Sequence, residues 1–545
     1  MSTEVLSVQM TGTELHARIL DGDELAVLDV REPAVTAREG TLLWSVSAPL
    51  SRIELNIRRL VPRLLTPVVL VDGGDGELAA RGAATLRGLG YGNIRVLDGG
   101  VRAWAQAGYK LHTGGTHVLG QAFGEFIETT YRTPHISVSE LTAQLAAGED
   151  IVLLDSRPRP EFEQHSLPGG TSIPGAELVY RAAAAIPSPD SLVVVNCAGR
   201  TRSILGAQTL INAGVANRVV ALEGGTMAWL LEGLELDHGK VNDAPAPNAA
   251  ELEQAKQAAL RIAERFGVQT IDHAELRRFN DEEEERTLYL LDIRTPDEFE
   301  RGHLAGSRSA PSWDASPWIF RHAATRNARI VLVDNADTVR AIVAASWLVQ
   351  IGWGEVFVLR DAFADGDFAV GRERPSREAF AEAIASVAST DAGQLAEQLE
   401  HDPQTLVLDL QPSNAHQRAH LPGARFAIRS RLPQKVAALP GAGPIVIASD
   451  DDRISVLAAL ELAELTARPV SVLEGGTDAW LRAGLPLEAG SEGALDEFED
   501  VALSAWQLEG REQQLQGFRD YLSWEVSLVD ELRADSTANF PVFSP

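Results

Sequence analysis

At 545 residues, with 45% hydrophobic and 23% charged residues, the chain has the composition of a globular protein and is too long for one hydrophobic core, so three to four domains are expected. A net charge of −29 opposes nucleic-acid phosphates, which excludes DNA and RNA as expected partners and requires that any anionic substrate find its positive charge locally. One cysteine in the whole chain excludes an intrachain disulfide and any multi-cysteine metal site, and no metal or other cofactor is expected.

The N-terminal residues MSTEVLSVQMTGTELHARIL lack a basic start followed by an apolar run. No secretory signal is expected, and the cytoplasm is the expected compartment. No uninterrupted apolar stretch of about 18 residues occurs, so no membrane partner is expected either. From here the chain repeats itself four times. The first landmark of each copy is a strand ending in Leu-Asp: Leu28-Asp29, Leu154-Asp155, Leu291-Asp292 and Leu408-Asp409. The second is an apolar strand: VVLVDGGDG from Val68, LVVVNCAGR from Leu192, IVLVDNADT from Ile330 and PIVIASDDD from Pro444. The third is a strand with a Gly-Gly turn: VLDGGVRAW from Val96, ALEGGTMAW from Ala221, a degraded VLRDAFADG from Val358 and VLEGGTDAW from Val472.

Short Val/Ile/Leu-rich strands alternating with helical patterns predict parallel sheets covered on both faces. The expected fold class is therefore α/β: four tandem doubly wound parallel-sheet domains and a C-terminal helical tail. The expected boundaries are 5–112, 130–237, 268–372 and 385–488, with an acidic tail at 489–545. Residues near 113–130 are Gly-rich and read as a linker, 238–248 as an exposed boundary, and ELEQAKQAALRIAERF as a helical linker. In the tail, Leu515, Phe518, Leu522, Val526 and Val529 recur at helical spacing, a stripe that should dock onto one of the domains.

Chemistry concentrates in the second copy, where the strand runs into Asn196-Cys197-Ala198-Gly199-Arg200-Thr201-Arg202-Ser203 and then a helix. A gapless alignment puts Gly73, Asn335 and Asp450 at the cysteine's position in the other copies, and Gly82, Ala344 and Ala459 opposite Gly206. A lone cysteine is by default a buried core residue. Here it sits in a polar loop at the carboxyl end of a parallel strand, where open α/β sheets place ligands and where loop amides converge on anions. The helix terminus, Arg200 and Arg202 should all favour thiolate. Arg202 is expected to point into the loop mouth and Arg200 outward.

The run CAGRTRS after a Val-rich strand resembles the active-site loop of the rhodanese family, commonly Cys-x-x-Gly-x-Arg-Ser, with the glycine one position early at Gly199. The Leu-Asp landmark, the Gly-Gly-x-x-Ala-Trp turn, and HLAG from His303 and HLPG from His420 also look like rhodanese signatures. Copy two varies the last as His165-Ser166-Leu167-Pro168, so its histidine need not superpose. The resemblance covers roughly residues 5–488 and implies sulfane-sulfur transfer. Cys197 as catalytic nucleophile takes sulfur from thiosulfate or a similar anionic donor and passes it to a thiol or cyanide, or to a protein acceptor. In that reading Arg200 and Arg202 hold the donor, with Ala198, Gly199, Thr201 and Ser203 completing the substrate loop.

Supporting roles fall to Asp155 and Arg157, which read first as a structural ion pair, and to Glu223 and Gly224 in the turn beside the loop. Arg159 and Arg181 are candidates for the mouth, and Trp229 reads as packing. Two alternatives stand beside the enzyme. One is a persulfide relay serving a protein partner. The other is a rhodanese-like phosphatase, whose arginine six positions after the cysteine would fall here on Ser203.

Overall fold

The computed structural model describes residues 8–372 and 380–544. The expected start of the first domain, at 5–7, lies outside them. Each of the four units has a five-strand parallel core in which the strand ending in Leu-Asp pairs with the apolar strand. In the second unit the order is 135–136, 219–222, 192–196, 151–155, 171–172. Leu192–Asn196 lies in mid-sheet and is buried throughout, as its unbroken Leu-Val-Val-Val run predicts.

The domains do not fold as separate beads. One continuous apolar core joins one face of the first three sheets and takes in Leu528, Leu532 and Phe540 of the tail. The fourth domain keeps its own core and meets the first through polar contacts, such as Arg429 with Glu54 at 2.7 Å and Ser430 with Glu32 at 2.9 Å. Thr325 and Arg326 of the third domain add an antiparallel strand to Ala26 and Leu25 of the first.

The expected helical linker forms as Ala249–Phe266, burying Ala255, Ala259, Ile262 and Phe266. The Gly-rich stretch near 113–130 departs from expectation, because it contains the helix Leu119–Tyr131. Its glycines permit close approach rather than slack: a Cβ at Gly120 would lie 2.0 Å from the Trp318 ring, and one at Gly124 2.9 Å from Thr201. The tail forms the helix Arg511–Ala534. Its inward stripe is rotated from the expected one: Phe518, Glu525, Leu528 and Leu532 are buried, whereas Val526 is 51% exposed. A glutamate in that stripe is the feature that leads to the site.

Candidate active site

Strand register fixes which residues correspond among the four loops. Asp155 pairs with Asn196, Asp29 with Val71, Asp292 with Val333 and Asp409 with Ala448. The counterparts of Cys197 are therefore Asp72, Asp334 and Ser449, one residue before the Gly73, Asn335 and Asp450 of the gapless alignment. Backbone contacts agree, since Thr226 donates to the Cys197 carbonyl as Val101 does to that of Asp72. Gly82 and Gly206 nevertheless pack at equivalent points, against Leu70 and Val195. Relative to the first domain, the second has lost one residue between strand and helix, which displaced the alignment.

Cys197 is 2% exposed and follows the strand directly, with Ser203 Oγ donating to Sγ at 3.2 Å from the helix Thr201–Asn212. The turn beside it needs glycine. Gly225 has φ +52°, and a Cβ there would lie 2.2 Å from the Cys197 carbonyl oxygen. Gly224 abuts Leu522 of the tail, and Glu223 turns away to pair with His135 at 3.1 Å.

Burial pushes the Cys197 thiol above its ordinary value, with Arg202 and Ser203 opposing and Glu525 adding to the rise. This corrects the expectation of a thiolate-favouring loop. The loop's positive charge is already matched. Arg202 makes a bidentate pair with Glu161, at 2.8 Å to each oxygen. Arg200 binds both oxygens of Glu125, at 2.7 and 3.0 Å, and also Glu128. Neither guanidinium is unpaired in the mouth, and Arg200, expected to project outward, is largely buried against the helix 119–131.

Glu525 closes the other side of the loop. It accepts from the Arg200 N–H at 3.2 Å, the Thr201 hydroxyl at 2.8 Å and the Tyr521 hydroxyl at 3.3 Å. Its carboxyl is pushed up to about 7, chiefly by burial. A cavity of about 980 Å³ opens beyond Cys197. Its walls come from the loop, residues 114–117 and Gln121, Trp318 and Phe320 of the third domain, and Trp506, Tyr521 and Trp524 of the tail.

Ala198, Gly199, Arg200, Thr201 and Arg202 border this cavity, whereas Ser203 acts on the sulfur from beneath. Asp155 and Arg157 form a buried pair at 2.7 Å. The same pair recurs as Asp29–Arg31 and Asp292–Arg294 in domains without a cysteine, which makes it structural. Arg159 and Arg181 are engaged by Glu163 and Glu177 and lie outside the cavity wall. Trp229 packs, its indole N–H donating to the Glu235 carbonyl as Trp104 and Trp480 donate to Lys110 and Pro486.

His165 is displaced, as its motif suggested. Ser166 bridges Asp237 as Thr41 bridges His112 and His420 bridges Glu488. His165 thereby falls one place earlier, in the cavity wall, accepting from Arg157 at 2.9 Å and stacked on Trp506. Burial and Arg157 hold it down to about 4, so it is neutral at neutral pH.

The family model described as Rhodanese-like domain matches residues 11–107, 137–232, 272–366 and 391–483. The chain belongs to the rhodanese-like family. It is a rhodanese-family sulfurtransferase with four such domains in tandem. A crystal structure of a thiosulfate sulfurtransferase from Pseudomonas aeruginosa is 40% identical to this rhodanese-like protein, covers 98% of this chain and all of its own, and superposes with a TM-score of 0.91. SseB of Mycobacterium tuberculosis is 27% identical over 32% of this chain and 72% of its own length. A sulfurtransferase of Allochromatium vinosum is 33% identical, covering 18% of this chain and 92% of its own.

What sequence reading missed of the site is the wall that other segments supply. The helix 119–131 had a signal in the spacing of Leu119, Ala122, Phe123 and Ile127. Glu525 had one too, a charge amid an apolar stripe. Trp318 and Trp506 had none, because their approach is tertiary. Among the described residues no helix is long and apolar enough to cross a membrane.

Proposed function

We propose that the protein moves sulfane sulfur from thiosulfate, or a donor of similar chemistry, to a thiol or cyanide acceptor through a persulfide on Cys197. The observation that carries this reading is the position of the one cysteine. It lies at the end of a central strand and the start of a helix, opening on a cavity, in a chain similar from end to end to a thiosulfate sulfurtransferase.

In the first half-reaction the Cys197 thiolate attacks the outer sulfur of the donor. A new S–S bond forms as the donor's own S–S bond breaks, and the electron pair leaves on sulfite. In the second, the acceptor attacks the terminal sulfur and the electron pair returns to Cys197. Because burial disfavours the thiolate, Ser203 and Arg202 are the groups that stabilise it as it forms. The loop amides at the helix N-terminus other than that of Arg200, which is bonded to Glu525, are the donors we assign to the growing negative charge on the outer sulfur and on sulfite. Arg200 shapes the loop through Glu125 and Glu128 rather than holding the donor.

Incubating the protein with thiosulfate and measuring the intact mass tests the reading. One added sulfur atom at Cys197, removed by cyanide as thiocyanate, is expected; no adduct and no thiocyanate would overturn it.

A further inference from the structure

Three loops in this molecule already contain an anion. In the first domain Asp72, at the cysteine's position, turns its carboxylate into its own loop and accepts from the N–H groups of Gly74 and Ala79, at 2.8 and 3.2 Å. In the third, Asp334 accepts from Asn335 and Ala341, at 2.8 and 3.0 Å. The second domain has a neutral thiol at that position, and its carboxylate arrives from the tail, as Glu525 on Arg200 N–H and Thr201 Oγ. The strand–loop–helix unit presents amides that demand negative charge, and Glu525 meets part of that demand before any substrate arrives.

The surroundings add no positive charge to offset a second anion. Arg202 is matched by Glu161, Arg200 by Glu125 and Glu128, and Arg321 of the cavity wall by Asp314 at 2.7 Å. The rest of the wall mixes neutral polar groups such as Gln121, Gln164 and Ser504 with the rings of Trp318, Phe320, Trp506, Tyr521 and Trp524, and about 980 Å³ is the scale of an organic ligand rather than of a small inorganic ion.

We infer that Glu525 is a specificity-determining residue: it handicaps dianionic sulfur partners and leaves the aromatic cavity to organic thiols, or their persulfides, of apolar or aromatic body carrying at most one negative charge. This deepens the sulfur-transfer reading and rests on it. In the acceptor half-reaction such a thiolate attacks the outer sulfur of the Cys197 persulfide. The new R–S–S bond forms, the enzyme's S–S bond breaks, and its electron pair returns to Cys197, with no other reactant. Trp318, Phe320, Trp506 and Tyr521 flank the approach.

The charge also varies with pH. Glu525 faces Tyr521 on its own helix, Glu125 on the helix 119–131, and Arg200, Thr201 and Cys197 on the loop. With its carboxyl raised to about 7, protonation as pH falls through that value removes the repulsion. Thiosulfate KM should then fall, whereas kcat falls for a separate reason, loss of the Cys197 thiolate.

The test compares the full-length protein with Glu525→Gln, which keeps the shape and one acceptor oxygen for the Thr201 and Tyr521 hydroxyls, gives up the bond from the Arg200 N–H and removes the charge. Persulfide-loaded protein is given benzyl mercaptan or mercaptosuccinate, each rate normalised to that with a small-molecule persulfide. The parent should prefer benzyl mercaptan, and Glu525→Gln should narrow that preference roughly tenfold, the scale of a single pocket contact, through the mercaptosuccinate KM. Glu525→Gln should also lower the thiosulfate KM above pH 7 and abolish its fall towards pH 6, a signature that a merely structural role would not move. Persulfide formation with an unchanged acceptor ratio and an unchanged KM profile overturns the inference alone. Absence of persulfide in both proteins overturns the underlying function and the inference together.

Discussion

The loops at Asp72 and at Cys197 share a strand register, a Gly-Gly turn and a following helix, yet they end in opposite states. At Asp72 the chain fills its own anion cradle, with the N–H groups of Gly74 and Ala79 donating to the carboxylate. At Cys197 a neutral thiol, one fewer residue and a carboxylate supplied from elsewhere leave the cradle facing a cavity. Whether such a loop is a site therefore depends on where its negative charge comes from. A carboxylate on the loop's own residue fills the cradle; one reaching in from the tail helix leaves the loop bordering a cavity.

The most severe test of this contrast is Cys197→Ser. Sulfur transfer should fall to background, because serine cannot form a persulfide, while cooperative melting stays near the parent temperature. Substantial turnover in a clean preparation would end the mechanism.

Next is Arg202→Ala. It removes the cation that most stabilises the thiolate and strands Glu161 beside the cavity. We expect kcat/KM for thiosulfate to drop roughly ten- to a thousandfold, about 1.4–4 kcal/mol. Alkylation of Cys197 by a neutral reagent at pH 7 should slow as its thiol rises further. Arg202→Lys should recover part of the charge effect and little of the bidentate geometry. Unchanged kinetics and alkylation would reduce Arg202 to a structural partner of Glu161.

A matched glycine pair separates stability from chemistry. Gly100 and Gly225 both have φ near +50°, with a Cβ 2.4 Å from the Asp72 carbonyl or 2.2 Å from that of Cys197. Replacing either with alanine should cost about 1–3 kcal/mol in denaturant unfolding. Only Gly225→Ala should slow transfer, and equal kinetic losses would mean that the first loop shares in the chemistry. The smallest effect should be that of Asp72→Asn, about 1 kcal/mol for the amide contact it weakens. Transfer rates should not move, and a measurable change would refute the reading of this loop as a filled cradle.

Much of this was legible in the sequence. Periodicity and repeated landmarks predict four α/β units, and the polar run from Cys197 to Arg202 marks the loop that borders the cavity, although nothing in that run shows how deeply the thiol is buried. The gapless alignment failed because helix packing at Gly82 and Gly206 and strand pairing at Asp29 and Asp155 are independent constraints, and the missing residue sits between them. The sequence offers Arg200 and Arg202 as donor-holding cations and does not show their partners, because Glu125 and Glu161 come from segments whose placement no local pattern encodes. Composition suggested a slack linker at 113–130, where Gly120 and Gly124 instead let Trp318 and Thr201 come close.

The strand that the third domain adds to the first has a consequence for how the molecule is made. Leu25 and Ala26 wait for Thr325 and Arg326 to cover their edge. At ~5–20 residues per second the ribosome needs roughly 15–60 s to reach them, far longer than a small domain takes to collapse. Through that interval the nascent first domain presents unpaired backbone groups able to capture another chain. The third domain, besides lining the cavity with Trp318 and Phe320, ends that exposure, which gives a domain without a cysteine a part in the yield of folded protein.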